Sequence, residues 1–332
     1  MNGSLQHGVM ISVVVPFYNE ELNVRPLYNE LTRVLDDIGR TWELIFINDG
    51  SRDNTAREIQ QLQREDDRII AVNLKGNQGQ TAALSAGFDQ ARGEVIVSID
   101  GDLQHDPKDL PAFIAAIDSG CDLASGWRKE RNDPYWSRML PSKIANRLMA
   151  SLSGIPLHDF GTTFKAYRRG ILQNIKLYGQ FHRFIPVLVM DLKPSIVEVP
   201  INDRRRVHGK SNYNIKRTFT VFFDLIRIKF LASYLTRPLQ IFGSLGVSFM
   251  TLGGLILFWL TAKKYLLGIS IMETRAPLFL FSIFLVLTGI HFFSMGLLSE
   301  ILVKLYYHLP GVKNYVLESV NRVNEENGEQ LP

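Results

Sequence analysis

The sequence is short of cysteine, of phosphate-loop signatures and, over one long stretch, of charge. Cys121 is its one cysteine. That excludes an intramolecular disulfide framework and any zinc site built from several thiolates, and a reducing compartment is the expectation. No Gly-x-Gly-x-x-Gly follows the first strand-like run and no Walker-type loop occurs, which disfavours dinucleotide oxidoreductases and P-loop hydrolases. No internal repeat is visible. The 37 basic and 33 acidic side chains leave a net charge of +4, too diffuse an excess to form a nucleic-acid footprint, so no nucleic-acid partner is expected. What is present is apolar: 46% of 332 residues against 21% charged, which excludes wholesale disorder and leaves room for a sizeable core.

Charge is missing where it matters most. From Pro238 to Ser299 only Lys263, Lys264, Glu273 and Arg275 are charged, and all four separate two apolar runs, 239–260 (LQIFGSLGVSFMTLGGLILFWL) and 276–298 (APLFLFSIFLVLTGIHFFSMGLL). A bilayer core needs about 20 helical residues. The runs therefore predict a transmembrane hairpin over 237–299. Buried core helices are the competing explanation, and they are usually shorter. Trp259 and Tyr265 suit an interfacial anchor, and His291 inside the second run serves either structure or function. The start, MNGSLQHGVM, lacks the basic residues and apolar stretch of a secretory signal. Residues before 236 are thus expected to stay on the side where they are made. Two spans return 300–332 to that side as a tail, with Asn324–Pro332 disordered.

Before the hairpin, strands alternate with helices. Met10–Pro16, Trp42–Asn48, Ile69–Leu74, Val95–Ile99 and a stretch near Asp122–Ser125 read as strands; helices fall between them, the first with Leu27, Leu31, Val34, Leu35 and Ile38 on one face. Asp53 or Asn54 is placed to cap the second. The alternation predicts an α/β domain over 1–214 with a mainly parallel sheet, whose ligands bind at the carboxyl ends of the strands.

Those ends carry polar groups. The fourth strand runs into Asp100-Gly101-Asp102-Leu103-Gln104. Two carboxylates one residue apart repel unless a cation sits between them, and magnesium commonly bridges one or two carboxylates to substrate phosphates; a solvated acidic turn is the plain alternative. The first strand ends in Pro16-Phe17-Tyr18-Asn19-Glu20 and the second in Asn48-Asp49-Gly50-Ser51. An aromatic face, carboxylates and a tight turn on one sheet edge form a set able to hold a nucleobase and ribose.

The order VVVPFYNE, INDGSRDNT, NQGQTAALSAGF and SIDGDLQHDP resembles glycosyltransferase family 2, with its GT-A fold for nucleotide sugars. WSRMLPSKIAN, HDFGTTFKAYRR and RRRVHGKSNY ahead of a hairpin resemble its polyprenyl-phosphate branch, which transfers one sugar from a nucleotide sugar to a membrane polyprenyl phosphate. The resemblance implies that Pro16, Tyr18, Glu20, Ile47 and Asp49 line the nucleoside pocket. It implies that Asp100, Gly101, Asp102 and Gln104 form the diphosphate site, with Asp100, Asp102 and Gln104 holding magnesium or manganese. Arg128, Arg138 and Ser142 would meet the acceptor phosphate or the departing diphosphate, and Arg206 and Lys210 the nucleotide diphosphate. Asp159 would act as a base, orient a substrate or close a turn. Two departures stand out: Asn48-Asp49 where many relatives have two aspartates, and Asn212 where a lysine is usual. Gln80, in place of a basic residue, leans toward uridine-type donors such as UDP-glucose; GDP-mannose and aminoarabinose donors are the alternatives. The resemblance further implies a homo-oligomer in the plasma membrane with its catalytic domain cytoplasmic.

Arg204 to Lys210 brings four basic side chains before the apolar-rich segment 215–236, which reads as an amphipathic helix on the membrane surface. Arginine forks suit a lipid phosphate at that height. The expected reaction is a direct, inverting displacement at the anomeric carbon. Two rivals are weighed beside it. A processive polysaccharide synthase is hinted at by Gln180-Phe181-His182-Arg183-Phe184, but two spans are few for a polymer channel. A non-catalytic membrane scaffold is opposed by the joint presence of Asp100, Asp102 and Gln104.

Overall fold

A computed structural model describes residues 11–129, 146–147, 149–150, 154–173, 177, 181–189, 192–204, 238–267, 271–308 and 313–322. They divide into two units, Met1–Leu225 with Lys313–Pro332, and Ile226–Val312. The expected interfacial helix at 215–236 and the tail Asn324–Pro332 lie outside the described residues.

In the first unit the order is β1 (Ile11–Phe17), α1 (Glu21–Ile38), β2 (Trp42–Asn48), α2 (Thr55–Glu65), β3 (Ile69–Leu74), α3 (Gln80–Gln90), β4 (Val95–Ser98), α4 (Leu110–Asp118), β5 (Leu123–Trp127), β6 (Lys165–Arg168), β7 (Ile196–Pro200) and β8 (Leu317–Asn321). One sheet runs β7-β5-β6-β4-β1-β2-β3-β8. The pairs β1–β2, β1–β4, β2–β3 and β5–β7 are parallel; β4–β6, β5–β6 and β3–β8 are antiparallel. Alternate residues of each strand serve opposite faces. Val13, Val15, Leu44 and Phe46 join Leu27, Leu31 and Leu35 of α1 and Phe113 of α4 in one core. Val14 and Ile47 point the other way, under α3. That helix is rich in alanine, and a Cβ on Gly87 would stand 2.3 Å from Val14 Cγ1, so small residues let it lie flat on the sheet.

The chain steps outward from β1 to β2 to β3, then returns to place β4 on the far side of β1. This reversal opens a crevice outside the carboxyl ends of β1 and β4, where open α/β sheets bind ligands. Sequence periodicity anticipates the parallel half and misses β6, β7 and β8. β6 carries a buried lysine, Lys165, where a core strand would be apolar. β8 is five half-exposed residues on an edge, formed by chain expected to be a tail.

The second unit is a helix pair, α5 (Pro238–Leu267) and α6 (Ile271–His308), which contain the two apolar runs. Buried core helices would hide these runs, yet only 17% of each apolar window is buried. Both are long and apolar enough to cross a bilayer. Their seam is built of small residues, Gly243 facing Gly296, Gly246 facing Gly289 and Gly253 facing Ser282. A Cβ on Gly246 would fall 2.7 Å from the Gly289 carbonyl oxygen, and one on Gly253 2.7 Å from that of Ser282. Backbones this close gain dispersion contact without any hydrophobic drive. α6 is broken at Arg275 (φ −144°), two residues before Pro277, whose ring obstructs the preceding turn. At the connecting end the Trp259 ring lies between Lys263 Nζ at 4.4 Å and the Arg275 guanidinium at 4.9 Å, the arrangement of an interfacial aromatic. His291 is on the exposed face of α6, off the seam.

Candidate active site

The ends of β1 and β2 are laced together by short polar side chains. Asp49 N donates to Phe17 O at 2.9 Å. Asn19 N donates to Ser51 Oγ at 3.0 Å and Arg52 N to Asn19 Oδ1 at 2.8 Å. Glu21 N donates to Asp53, while Asn54 N returns a bond to Glu21. Asp53 rather than Asn54 stabilises the start of α2, accepting from Thr55 N at 3.1 Å. Asn48 uses both ends of its amide. Buried, it donates to Asn73 Oδ1 at 3.1 Å and accepts from Ser51 N at 3.0 Å, and Asn73 passes the ladder to Ser319 Oγ on β8. An ionised aspartate only accepts and could not donate to Asn73.

Asp49 is buried, and its two oxygens accept from Gln78 N at 2.7 Å and Gly79 N at 2.9 Å. Burial pushes its carboxyl above the usual range, against the pull of those two amides. Gly50 turns the chain with φ 63°; a Cβ there would meet the Gly76 backbone at 2.2 Å. Ile47 is fully buried with its side chain beneath Gly87. Its side chain thus packs under α3 and supports the strand end from below. Tyr18 is 40% exposed at the edge, beside the half-buried Pro16 and Glu20.

At the end of β4, Asp100 is partly exposed and Asp102 is 8% exposed. Asp100 Oδ1 accepts from Gln80 Nε2 at 2.6 Å, and Oδ2 lies 3.5 Å from His105 Nε2. Burial alone would raise the Asp100 pKa; the hydrogen bond and charge of His105, with Thr163 and His182, outweigh it and pull the group down to about 2. Asp102 Oδ1 accepts from Gln104 N at 3.1 Å, a turn that Leu103 completes at φ 59°. Gly101, which the resemblance places in the diphosphate site, has no room for a side chain: a Cβ would lie 2.5 Å from the Phe17 ring and 2.9 Å from Pro16 O. The β4 end thus sits directly against the β1 end.

Arg128, just past β5, and Asp159 form a two-pronged ion pair, Nε–Oδ2 2.7 Å and Nη2–Oδ1 3.1 Å. Asp100 and Asp203 lie close enough to add to the field at the guanidinium, which stays above its ordinary pKa although burial opposes this. Glu198 on β7 holds the Asp159 turn, accepting from His158 N at 2.6 Å and Asp159 N at 3.2 Å, while the His158 ring stacks on Trp127 at 4.5 Å. Arg204, first of the basic run, is committed elsewhere. It bonds Glu30 at 2.7 Å and Asp106 at 2.6 Å; the other three cations of that run lie outside the described residues.

A family model described as glycosyl transferase family 2 matches residues 12–176. The chain is 40% identical over 93% of its length to dodecaprenyl-phosphate galacturonate synthase of Rhizobium johnstonii, covering 92% of that protein. This chain belongs to glycosyltransferase family 2. Within the family it groups with the polyprenyl-phosphate glycosyltransferases. Undecaprenyl-phosphate 4-deoxy-4-formamido-L-arabinose transferase of Pseudomonas aeruginosa is 30% identical over 94% of this chain and 91% of its own. Among solved structures, glucosyl-3-phosphoglycerate synthase from Mycobacterium tuberculosis, in complex with Mn2+, UDP and glucosyl-3-phosphoglycerate, superposes with a TM-score of 0.51 at 20% identity. It covers 68% of this chain and 80% of its own, a likeness of fold.

In this glycosyltransferase the donor set fits a hard divalent cation. Two oxygen-bearing acids sit on one strand end at the crevice, and no group of three or more histidine, cysteine or acidic side chains is gathered to hold a metal among the described residues. Two carboxylates at a strand end are the donor type that magnesium shares with substrate phosphates. Arg138, Ser142, Arg206 and Lys210 lie outside the described residues. Sequence reasoning missed His105 and Glu198. The Gln-His following the acids is the one signal that points to His105; Glu198 sits in an unremarkable strand and has none.

Proposed function

We propose that this enzyme transfers a single galacturonate from a nucleotide sugar to a polyprenyl phosphate, inverting the anomeric centre. One observation carries the reading: Asp100 and Asp102 stand at the crevice between β1 and β4 in a chain alike, over nine-tenths of its length, to a dodecaprenyl-phosphate galacturonate synthase. The same likeness favours a uronate over the glucose that Gln80 first suggested. A formamido-arabinose donor is the second reading, favoured by the relatives at 30% identity.

Asp100 and Asp102, with Gln104, would hold magnesium or manganese; when bound, the ion offsets charge on the leaving diphosphate. The manganese in the structure of the mycobacterial synthase supports this choice. Tyr18 and Glu20 face the nucleoside, and Asp49 holds the loop beneath it. Arg138, Ser142, Arg206 and Lys210 receive the phosphates. The acceptor phosphate is ionised near neutral pH, its second pKa being about 6, so it attacks the anomeric carbon without a general base as the nucleoside diphosphate leaves. Asp159, tied to Arg128 at 2.7 Å, orients that guanidinium rather than taking a proton. The helix pair would span the plasma membrane with the catalytic unit cytoplasmic, a topology supported by five basic residues flanking it in sequence (Arg227, Lys229, Arg237, Lys304 and Lys313) against three between its apolar runs (Lys263, Lys264 and Arg275).

The test uses the purified chain with undecaprenyl phosphate, manganese or magnesium, and nucleotide-linked galacturonate, formamido-arabinose or glucose, with lipid products read by mass spectrometry. One galacturonate per lipid is expected. A polymer, or no product from any donor, would overturn the reading. Asp102→Ala should cut turnover by at least about a hundredfold with the melting temperature retained, and chelation should do the same to the wild type.

A further inference from the structure

The chain that follows α6 reaches back to the acidic strand ends through one short loop. Val316, just before β8, is bonded by the Gln78 side chain in both directions: Gln78 Nε2 donates to Val316 O at 2.7 Å, and Val316 N donates to Gln78 Oε1 at 2.7 Å. Lys75 N adds a bond to Val316 O at 3.0 Å. The next links lead straight into the site. Gln78 N and Gly79 N hold the two oxygens of Asp49, and Gln80 Nε2 holds Asp100. Three consecutive residues, 78–80, therefore join the C-terminal segment to a carboxylate of β2 and a carboxylate of β4.

The same segment grips both ends of this region. Tyr315 Oη donates to Asp89 Oδ2 at 2.6 Å, where Lys313 also lies at 3.6 Å, and Arg322 donates to Gln90 O at 2.7 Å. The Val316 side chain contributes little packing, being 58% exposed. What it supplies is its backbone, presented to Gln78 outside the β3–β8 ladder. A half-exposed pair of neutral hydrogen bonds contributes little to global stability. Its position on the loop that carries Asp49 and Gln80 gives it a different consequence.

We infer that residues 313–322 are a clasp for the donor site and that Gln78 is a positioning residue for nucleotide-sugar binding. Through Gln78 the clasp holds the 78–80 amides at the spacing that Asp49 and Asp100 require. The inference rests on the proposed donor site, and it is tested on the full chain in detergent with UDP, GDP and manganese as probes. Gln78→Met removes both bonds to Val316, and the longer one from Gln78 Nε2 to Lys75 O at 3.4 Å, at nearly constant volume. Val316→Pro removes the N–H that Gln78 accepts, and Val316→Ala keeps the backbone bonds. Gln78→Met and Val316→Pro are expected to weaken nucleotide binding and raise the donor KM about fivefold, the loss of roughly one neutral hydrogen bond. The acceptor KM and melting temperature should stay put, and Val316→Ala should bind as wild type. Unchanged nucleotide affinity in both variants would overturn the inference. So would a parallel loss of melting temperature and of both KM values, the mark of a purely structural strand. Failure of the wild type to bind either nucleotide would instead overturn the functional reading, and the clasp with it.

Discussion

In the α/β unit Leu31 and Phe46 are fully buried, whereas in the helix pair Phe258 and Leu255 are 74% and 62% exposed. Glycine reverses roles as well. In the sheet it appears where one polypeptide segment presses on another near the site, as Gly101 does on Phe17; in the helix pair Gly246 and Gly289 bring the two backbones into direct contact. Water explains the first pattern, because burying large apolar side chains stabilises a fold only when the alternative is an aqueous surface. Lipid explains the second, since tails are as apolar as leucine and close backbone approach becomes the main gain.

Substitutions can break this comparison. The largest effect is expected inside the sheet unit: Leu31→Ala should cost about 2–5 kcal/mol by leaving a cavity, read as a lower unfolding midpoint in denaturant. Leu255→Ala should stay within about 0.5 kcal/mol. Equal losses would mean that the helix pair is packed like a soluble core. A middle-sized effect is expected at the seam. Gly289→Leu must displace the Gly246 carbonyl and should cost about 1–3 kcal/mol, seen as loss of helix-pair protection in hydrogen exchange. Gly254→Leu, with nothing within 4 Å of its Cβ, should be silent.

The smallest effect sharpens the polar side of the sheet unit. Asp66 accepts from Arg68 and from Tyr28 Oη at 2.9 Å. Burial pushes its carboxyl up, but the Arg68 and Tyr28 bonds prevail and hold it below the usual range. Its folded pKa is thus depressed, so its contribution is complete above the ordinary carboxylate pKa of about 3.9 and fades as pH falls toward the folded value. Asp66→Asn should lower stability by about 1 kcal/mol near neutrality, and the gap from wild type should close on acidification. A gap that widened with acid would contradict the pairing.

Much of the fold was legible because local pattern and tertiary role agreed. Val13 and Val15 alternate with a second buried face, as a covered parallel strand requires, and β2 and β3 have the expected limits. The site was legible in its acids, because Asp100 and Asp102 follow a strand directly and strand ends must gather at one edge. Arg204 was counted with a phosphate-binding run because Glu30 and Asp106, its partners, are far away in sequence.

From its residues alone the chain determined that β1, β2 and β4 would bring their polar ends together and that two apolar runs would pair outside water, because strand order and hydropathy are local properties. Only the tertiary structure decided that Asp49 would spend both oxygens on the 78–79 amides, that Asp159 would bind Arg128, and that residues after α6 would become β8. Those outcomes depend on hydrogen bonds between residues up to 258 positions apart, and such bonds leave no periodic trace in the sequence; they exist only once the sheet has set its register.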